Sequence, residues 1–125
     1  MIPEQINKDV NLLKNEFENI TIHDGNPVIV VIEDFHLPQR YIIDSTKLLI
    51  KIPISYPNGK LDMFWVEENA IPDGKKLPFS QTFETILGVK WLRYSWHPQN
   101  WNPNSDNLLT FIEFVMDGLR RVVTQ

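Results

Sequence analysis

The segment Ser95-Trp96-His97 carries the side chains of this chain that are best suited to chemistry. An imidazole titrates near neutral pH, so His97 can orient or deprotonate an incoming amine. The Ser95 hydroxyl can carry an acyl group once a base activates it, and the two side chains share a face if the segment is extended. No Asp or Glu lies near them in sequence to complete a relay. The simpler interpretation, in which His97 packs among aromatic rings and donates to a backbone carbonyl, is therefore favoured.

Aromatic residues surround this segment and suggest a binding surface. Exposed aromatic and arginine side chains are often binding hot spots, which makes Arg93, Tyr94, Trp96 and Trp101 the candidate residues for contacting a partner protein. The alternative is that the rings form core packing beneath a long loop. We expect Trp91 and Trp101 inside the protein and at least one of Tyr94 and Trp96 near its surface. The few basic neighbours do not favour nucleic-acid stacking.

Two short acidic and histidine-containing runs offer metal-ligand types. In Glu33-Asp34-Phe35-His36, alternation along a strand places Asp34 and His36 on one face, and His23-Asp24 precedes it. Two ligands do not make a site, because structural zinc requires about four. We interpret these residues as solvated and predict no metal and no other cofactor.

Composition limits the classes of function. The 125 residues fit a single domain spanning 1–125, and the apolar fraction of 42% is enough for a packed core. The net charge of −4 does not favour nucleic acid as a partner. The chain has no cysteine, which excludes disulfides, thiolate metal sites and thiol catalysis.

The start of the chain and its hydropathy predict a cytoplasmic protein. The polar N-terminal run Met1-Ile2-Pro3-Glu4-Gln5 lacks the apolar core of a signal peptide. No apolar stretch approaches the ~20 residues that a membrane-spanning helix needs. We therefore expect a soluble protein without a membrane partner.

Hydrophobic periodicity predicts the elements of the first half. Ile6, Val10, Leu13 and Phe17 recur at helical spacing and predict a helix over residues 3–18. Four apolar or β-branched runs on short connections then predict an antiparallel meander, with strands at Val28–Ile32, Tyr41–Ile43, Leu48–Ile54 and Leu61–Val66.

The second half is predicted to be irregular before it ends in a helix. Residues Glu67–Lys90 show no periodicity, and so long an irregular segment is often functional. Asn104 or Ser105 is the expected cap of a largely buried helix, whose apolar stripe consists of Leu108, Ile112, Val115 and Leu119. The fold class is therefore α+β, with an N-terminal helix, a four-stranded antiparallel meander, a long irregular segment and a buried C-terminal helix.

Two motifs accompany this order of elements. The third strand ends in Ile52-Pro53-Ile54-Ser55-Tyr56-Pro57, and Trp101-Asn102-Pro103 introduces the last helix. Together they resemble the ubiquitin-conjugating proteins, in which the third strand commonly ends in Phe-Pro-x-x-Tyr-Pro and Trp-x-Pro precedes the second helix. The resemblance implies a ubiquitin-conjugating-like fold.

A closer resemblance is to a bacterial group, the prokaryotic ubiquitin-conjugating-like family E, and it runs from about Lys47 to Leu119. It rests on five short motifs, which are Tyr56-Pro57, Asp62-Met63-Phe64-Trp65-Val66, Gly88-Val89-Lys90-Trp91, Ser95-Trp96-His97 and Trp101-Asn102-Pro103. It implies that Tyr56, Pro57, Trp65, Trp91 and Pro103 belong to the family's structural framework. Genes of this group are typically associated with ubiquitin-like proteins, their activating enzymes and deubiquitinase-like peptidases.

The chain departs from the carriers at their nucleophile. Ubiquitin carriers place the cysteine about eight residues before Trp-x-Pro, a register that falls here on Arg93, beside Tyr94 and Ser95. Without a thiol the chain cannot form their thioester, so we lean against enzymatic activity. We expect a catalytically inactive variant that binds a ubiquitin-like protein or an activating enzyme non-covalently. The alternatives are a non-thiol acyl carrier using Ser95 or His97 and a plain protein-interaction scaffold.

Overall fold

The computed structural model describes residues 2–124 as one sheet with two helices. The helices are α1 (Glu4–Leu13) and α2 (Leu108–Thr124), and the strands are β1 (Ile20–His23), β2 (Val28–His36), β3 (Ser45–Ile52), β4 (Phe64–Val66), β5 (Thr82–Ile86) and β6 (Val89–Tyr94). The strand order is β1-β2-β3-β4-β6-β5, and every neighbouring pair is antiparallel. The α+β class is confirmed, whereas the predicted number of four strands is wrong, because the sheet has six.

Two of the strands that were not predicted, β5 and β6, form a hairpin. It begins at residue 82 and takes up the last part of the stretch that was predicted to be irregular, which shortens that stretch to residues 67–81. Its turn is the pair Leu87 and Gly88, with φ values of 52° and 77°. A two-residue turn with both φ values positive matches the twist of antiparallel strands. β6 then pairs with β4, so the hairpin extends the sheet instead of covering it.

The predicted strand Tyr41–Ile43 is absent, and β1 is a strand that was not predicted. Tyr41 forms only an isolated bridge with Pro72. Its ring is buried, and its hydroxyl donates to the carbonyl of Leu119 in α2 at 2.8 Å. This apolar run is therefore a connection anchored to the core. β1 is a short edge strand that pairs with β2.

The main core lies between the two helices and one face of the sheet. Alternation along β3 directs Leu48, Ile50 and Ile52 into this core, and all three are fully buried. The helices contribute Ile6, Val10 and Leu13 from α1 and Leu108, Phe111, Val115 and Leu119 from α2. Full burial of each such side chain stabilises the fold by roughly 1.5–3 kcal/mol.

The other face of the sheet, which we call the open face, has its own small apolar cluster. That cluster consists of Val31, Leu49, Trp65, Ile86 and Trp91, with Ile29 and Met63 partly buried against it. It contains no residue of α1 or α2. The open face is therefore the side of the sheet available to something other than the helices.

The boundaries of both helices differ from the prediction. α1 ends at Leu13, and Phe17 packs against the core from beyond it. α2 begins at Leu108, and the side chain of Asn107, not of Asn104 or Ser105, accepts from the N–H groups of Leu109 (2.9 Å) and Thr110 (3.1 Å). Neither helix is long and apolar enough to cross a membrane, a finding that covers the described residues only.

Candidate functional site

His97 has an acidic partner that its sequence neighbourhood did not reveal. The N–H of Met63, just before β4, donates to the carbonyl of Trp96, just after β6, at 3.1 Å. This contact brings Asp62 against His97, and the Asp62 carboxylate forms a hydrogen bond with Nδ1 of the imidazole. A carboxylate at Nδ1 selects the tautomer that carries its hydrogen on Nδ1, and this tautomer leaves Nε2 free to accept a proton or attack a carbonyl.

Ser95 is not part of this arrangement. Its Oγ accepts from Nε of Arg93 at 3.2 Å, and no hydrogen bond joins it to His97 in the part of the chain that the structure describes. The hydrogen bond from serine to histidine that would activate the serine is therefore absent from this segment, although only one residue separates Ser95 from His97. The structure combines His97 with Asp62, and Ser95 with Arg93.

Ser95 and His97 nevertheless line the same groove. It lies between the segment after β6 and the C-terminal half of α2 and has a volume of about 460 Å³. Trp96 and Phe114 contribute apolar surface, and Arg121 contributes a cation, with the remaining lining from Pro78, Gln99, Gly118 and Val122. The groove thus combines an exposed imidazole with an apolar wall.

The aromatic candidates have different environments. Tyr94 is fully buried, and its hydroxyl donates to the carbonyl of Ala70 at 2.8 Å, so its side chain presents no surface to a partner. Burial raises the pKa of Tyr94 well above its ordinary value, which keeps the hydroxyl neutral. Trp91 is buried, whereas Trp96 and Trp101 are half-buried.

Trp96 and Trp101 both have structural contacts. Trp96 makes edge contacts with Phe64, Phe79 and Tyr94. Its ring also lies over Gly118 of α2, so close that a Cβ there would be 2.6 Å from it. Trp101 donates from Nε1 to the carbonyl of Pro57 at 2.8 Å and thereby joins the two motifs that carry the resemblance.

Arg93 lies on the open face in a cluster of charges around Glu84. The Glu84 carboxylate accepts from Lys51 at 2.9 Å and from Nε1 of Trp65 at 3.3 Å, and it lies 3.7 Å from the Arg93 guanidinium. Lys51, followed by Trp65 and Arg93, holds the pKa of Glu84 below its ordinary value. Lys51 also lies over the ring of Trp65, 4.5 Å from its centroid.

The two runs that offer metal-ligand types, His23-Asp24 and Glu33–His36, do not form a metal site together. Asp34 and His36 are exposed at the end of β2, 3.7 Å from each other. Within residues 2–124, no group of three or more His, Cys, Asp or Glu side chains is placed to hold a metal ion.

The order of helix, six-stranded sheet and helix defines an α+β domain, and the bond from Trp101 to Pro57 joins its Tyr-Pro and Trp-x-Pro motifs. The chain belongs to prokaryotic E2 family E, whose sequence model matches residues 5–122. No curated protein and no solved structure matches it. Membership of this family suggests a role in a bacterial ubiquitin-like pathway.

Proposed function

We propose that this chain binds a ubiquitin-like protein or its activating enzyme non-covalently and serves the modification pathway without carrying the modifier. One observation carries the proposal. The motifs of an E2-like scaffold are present and joined to each other, yet the chain has no cysteine for thioester chemistry. A scaffold of this kind retains its surfaces for the other proteins of the pathway.

The open face and α1 are the surfaces we assign to this binding. The open face combines the apolar cluster around Trp65 with charges at Lys51, Glu84 and Arg93, and tryptophan and arginine are enriched in interface cores. On α1, Leu12 is 45% exposed. The residues of the apolar cluster are themselves buried, so the apolar area that a partner removes from water comes from Leu12 and from the partly exposed Ile29 and Met63.

The test is calorimetric titration of the chain with a ubiquitin-like protein and an activating enzyme of the bacterial ubiquitin-like pathway that the family suggests. We expect binding without ATP. Ile29→Asp places a charge in the open face and should weaken binding roughly tenfold or more. The matched control, Ile42→Asp, makes the same change at an exposed position outside that cluster and should leave the affinity unchanged. Absence of binding to both proteins would refute the proposal.

The contact between Asp62 and His97 favours one second candidate, an acyl carrier that uses imidazole. In this reaction Nε2 of His97 attacks the carbonyl of the modifier's C-terminal adenylate, and AMP leaves. The Nδ1 proton of the resulting acyl-imidazolium is stabilised by Asp62. An amine then attacks the acyl carbon, the bond from that carbon to Nε2 breaks, and the proton lost by the amine passes to solvent, which leaves the amide and the free imidazole of His97.

This candidate predicts an adduct visible by intact mass spectrometry. With activating enzyme, modifier and ATP, the chain should gain the mass of the modifier less one water, and hydroxylamine should remove it. His97→Ala should abolish the adduct, and Asp62→Asn should reduce it. His36→Ala, which alters another exposed histidine, should leave it intact. If the adduct persists in His97→Ala but disappears in Ser95→Ala, the acceptor is Ser95.

A further inference from the structure

A groove separate from that of His97 runs along one side of α2. It lies between this helix, the chain after α1 and the end of β2, and it has a volume of about 330 Å³. The positions of α2 that line it recur at helical steps of three and four and form one continuous wall, which consists of Leu109, Ile112, Glu113, Met116, Asp117 and Arg120. From the first to the last of these positions the wall is roughly 16 Å long.

The apolar part of the lining is incompletely covered. Phe35 and Ile112 are buried, whereas Phe17, Leu109 and Met116 pack against the core and are only partly buried. Methionine is flexible and polarisable, so it adapts to partners of different shape and is frequent at binding surfaces. The groove therefore retains apolar area that a partner would remove from water.

The charged part of the lining is predominantly acidic. The three carboxylates of Glu16, Glu113 and Asp117 outnumber the cationic groups, which belong to Arg120 and His36. Arg120 lies 3.8 Å from Asp117, whereas Glu16 and Glu113 have no cationic partner within residues 2–124. Glu113 and Asp117 are also one turn apart, a spacing at which like charges destabilise a helix. A cationic partner relieves this repulsion, so the groove favours positive charge.

The α2 wall determines the conformation that such a partner adopts. The N–H and C=O groups inside an α-helix bond to each other, so the wall offers no backbone groups with which an extended peptide could pair. A peptide that lies there must satisfy its own backbone groups, because unpaired groups away from water are costly. An α-helix does so, and about 11 residues of helix match the length of the wall.

We propose that this groove binds an amphipathic helix of a partner protein, in which lysine or arginine flanks the apolar stripe. The apolar side chains of that helix, at i, i+3, i+4 and i+7, cover Phe17, Leu109 and Met116. Its cations lie beside Glu16 and Glu113 and are attracted by a chain whose net charge is −4. The groove shares no residue with the apolar cluster of the open face, so this interface is separate from the one proposed for the ubiquitin-like protein.

The probe is an acetylated and amidated peptide of about 12 residues, with leucine at i, i+3, i+4 and i+7, lysine beside the leucines and alanine elsewhere. In heteronuclear NMR spectra of the isotope-labelled chain, it should shift the amide resonances of Phe17, Leu109 and Met116 and leave those of Trp65 and Arg93 on the open face in place. The same peptide with glutamate in place of lysine should not bind. Shifts confined to the open face, or equal affinities of the two peptides, would overturn the proposal.

A charge reversal tests the electrostatic part. Glu113→Lys should weaken binding of the lysine peptide by about tenfold or more, because it replaces an unpaired carboxylate of the groove with a like charge. The matched control, Glu68→Lys, makes the same change of net charge at an exposed ion pair with Lys90 outside the groove, and it should keep the affinity within about twofold. Both positions are exposed, and circular dichroism verifies that both variants are folded. Equal weakening would mean attraction to the acidic chain as a whole and would overturn the assignment.

A truncation tests the apolar part. Met116→Ser should also weaken binding of the lysine peptide, because it removes apolar area from the α2 wall. Leu12→Ser, its control, shortens an exposed apolar side chain of α1 outside the groove and should have no effect. If Met116→Ser is unfolded, the comparison of Glu113→Lys with Glu68→Lys decides. Undiminished affinity of a folded Met116→Ser, or no binding of the wild type at millimolar peptide, would refute the proposal.

Discussion

At the scale of single residues, Tyr56 connects three separate parts of the chain. Its hydroxyl donates to the buried Asp9 carboxylate of α1 at 2.5 Å and accepts from the N–H of Leu108, the first residue of α2, at 2.7 Å. Burial, followed by the Asp9 carboxylate, raises the pKa of Tyr56 above its ordinary value, so the hydroxyl stays protonated. The Tyr-Pro motif therefore has a physical role in joining both helices to the end of β3.

Tyr56→Phe should lower the free energy of unfolding by about 2–3 kcal/mol, because it leaves a buried carboxylate and a helix N–H without their partner. Urea denaturation measures the loss. Tyr41→Phe is the matched control, since it removes a buried hydroxyl that donates to the carbonyl of Leu119 and contacts no carboxylate, and it should cost about 1 kcal/mol. Equal losses in the two variants would contradict a special role for Asp9.

Glu84 predicts a pH dependence of stability. Its pKa is lowered in the folded protein, so its stabilisation is complete above its ordinary pKa near 4.5 and is lost as the pH falls through the folded-state value. Glu84→Gln should therefore be less stable than wild type at pH 7, and the difference should shrink towards pH 3. Urea midpoints across this range provide the measurement. Glu68→Gln, at an exposed ion pair with Lys90, should show a smaller difference. A pH-independent difference for Glu84→Gln would exclude this linkage.

At the scale of elements, apolar periodicity predicted the existence of α1, β2, β3, β4 and α2, but their ends depended on other interactions. The start of α2 is an example. Asn104 and Ser105 are both residue types that commonly cap helices. In the structure, however, the N–H groups of Ser105 and Asp106 both donate to the carbonyl of Asn102, so this segment forms a turn before the helix. The helix consequently begins two or three residues later than predicted, and Asn107 caps it.

Asn107→Ala should lower the free energy of unfolding by about 0.5–2 kcal/mol, because two N–H groups of the first turn lose their acceptor. Thermal or urea denaturation detects the change. Asn104→Ala, at the position that sequence favoured, should leave the stability nearly unchanged. A larger loss from Asn104→Ala than from Asn107→Ala would place the cap at the earlier residue.

At the scale of the whole molecule, the packing of α2 against the segment after β6 sets the shape of the candidate groove. The close approach of the Trp96 ring to Gly118 requires a residue without Cβ. Gly118→Ala raises intrinsic helix propensity by about 1 kcal/mol, but we expect net destabilisation of about 1–3 kcal/mol because the ring must move.

A double-mutant cycle isolates this contact. In a Trp96→Ala background the steric penalty disappears, so Gly118→Ala should become neutral or stabilising in urea denaturation. A loss that persists in that background would place the strain elsewhere in α2.

The sequence by itself determined the α+β class, the resemblance carried by its motifs and the lack of thiol chemistry, because these depend on local periodicity, residue order and composition. Only the tertiary structure decided that Asp62 meets His97, that Tyr94 is buried and that the sheet has six strands. The contact of Asp62 with His97 and the addition of the β5–β6 hairpin to the sheet both follow from the pairing of β4 with β6, which joins residues distant in sequence. Local sequence patterns do not determine which strands become neighbours, and it is the pairing of these two strands that brings the residues of the candidate site together.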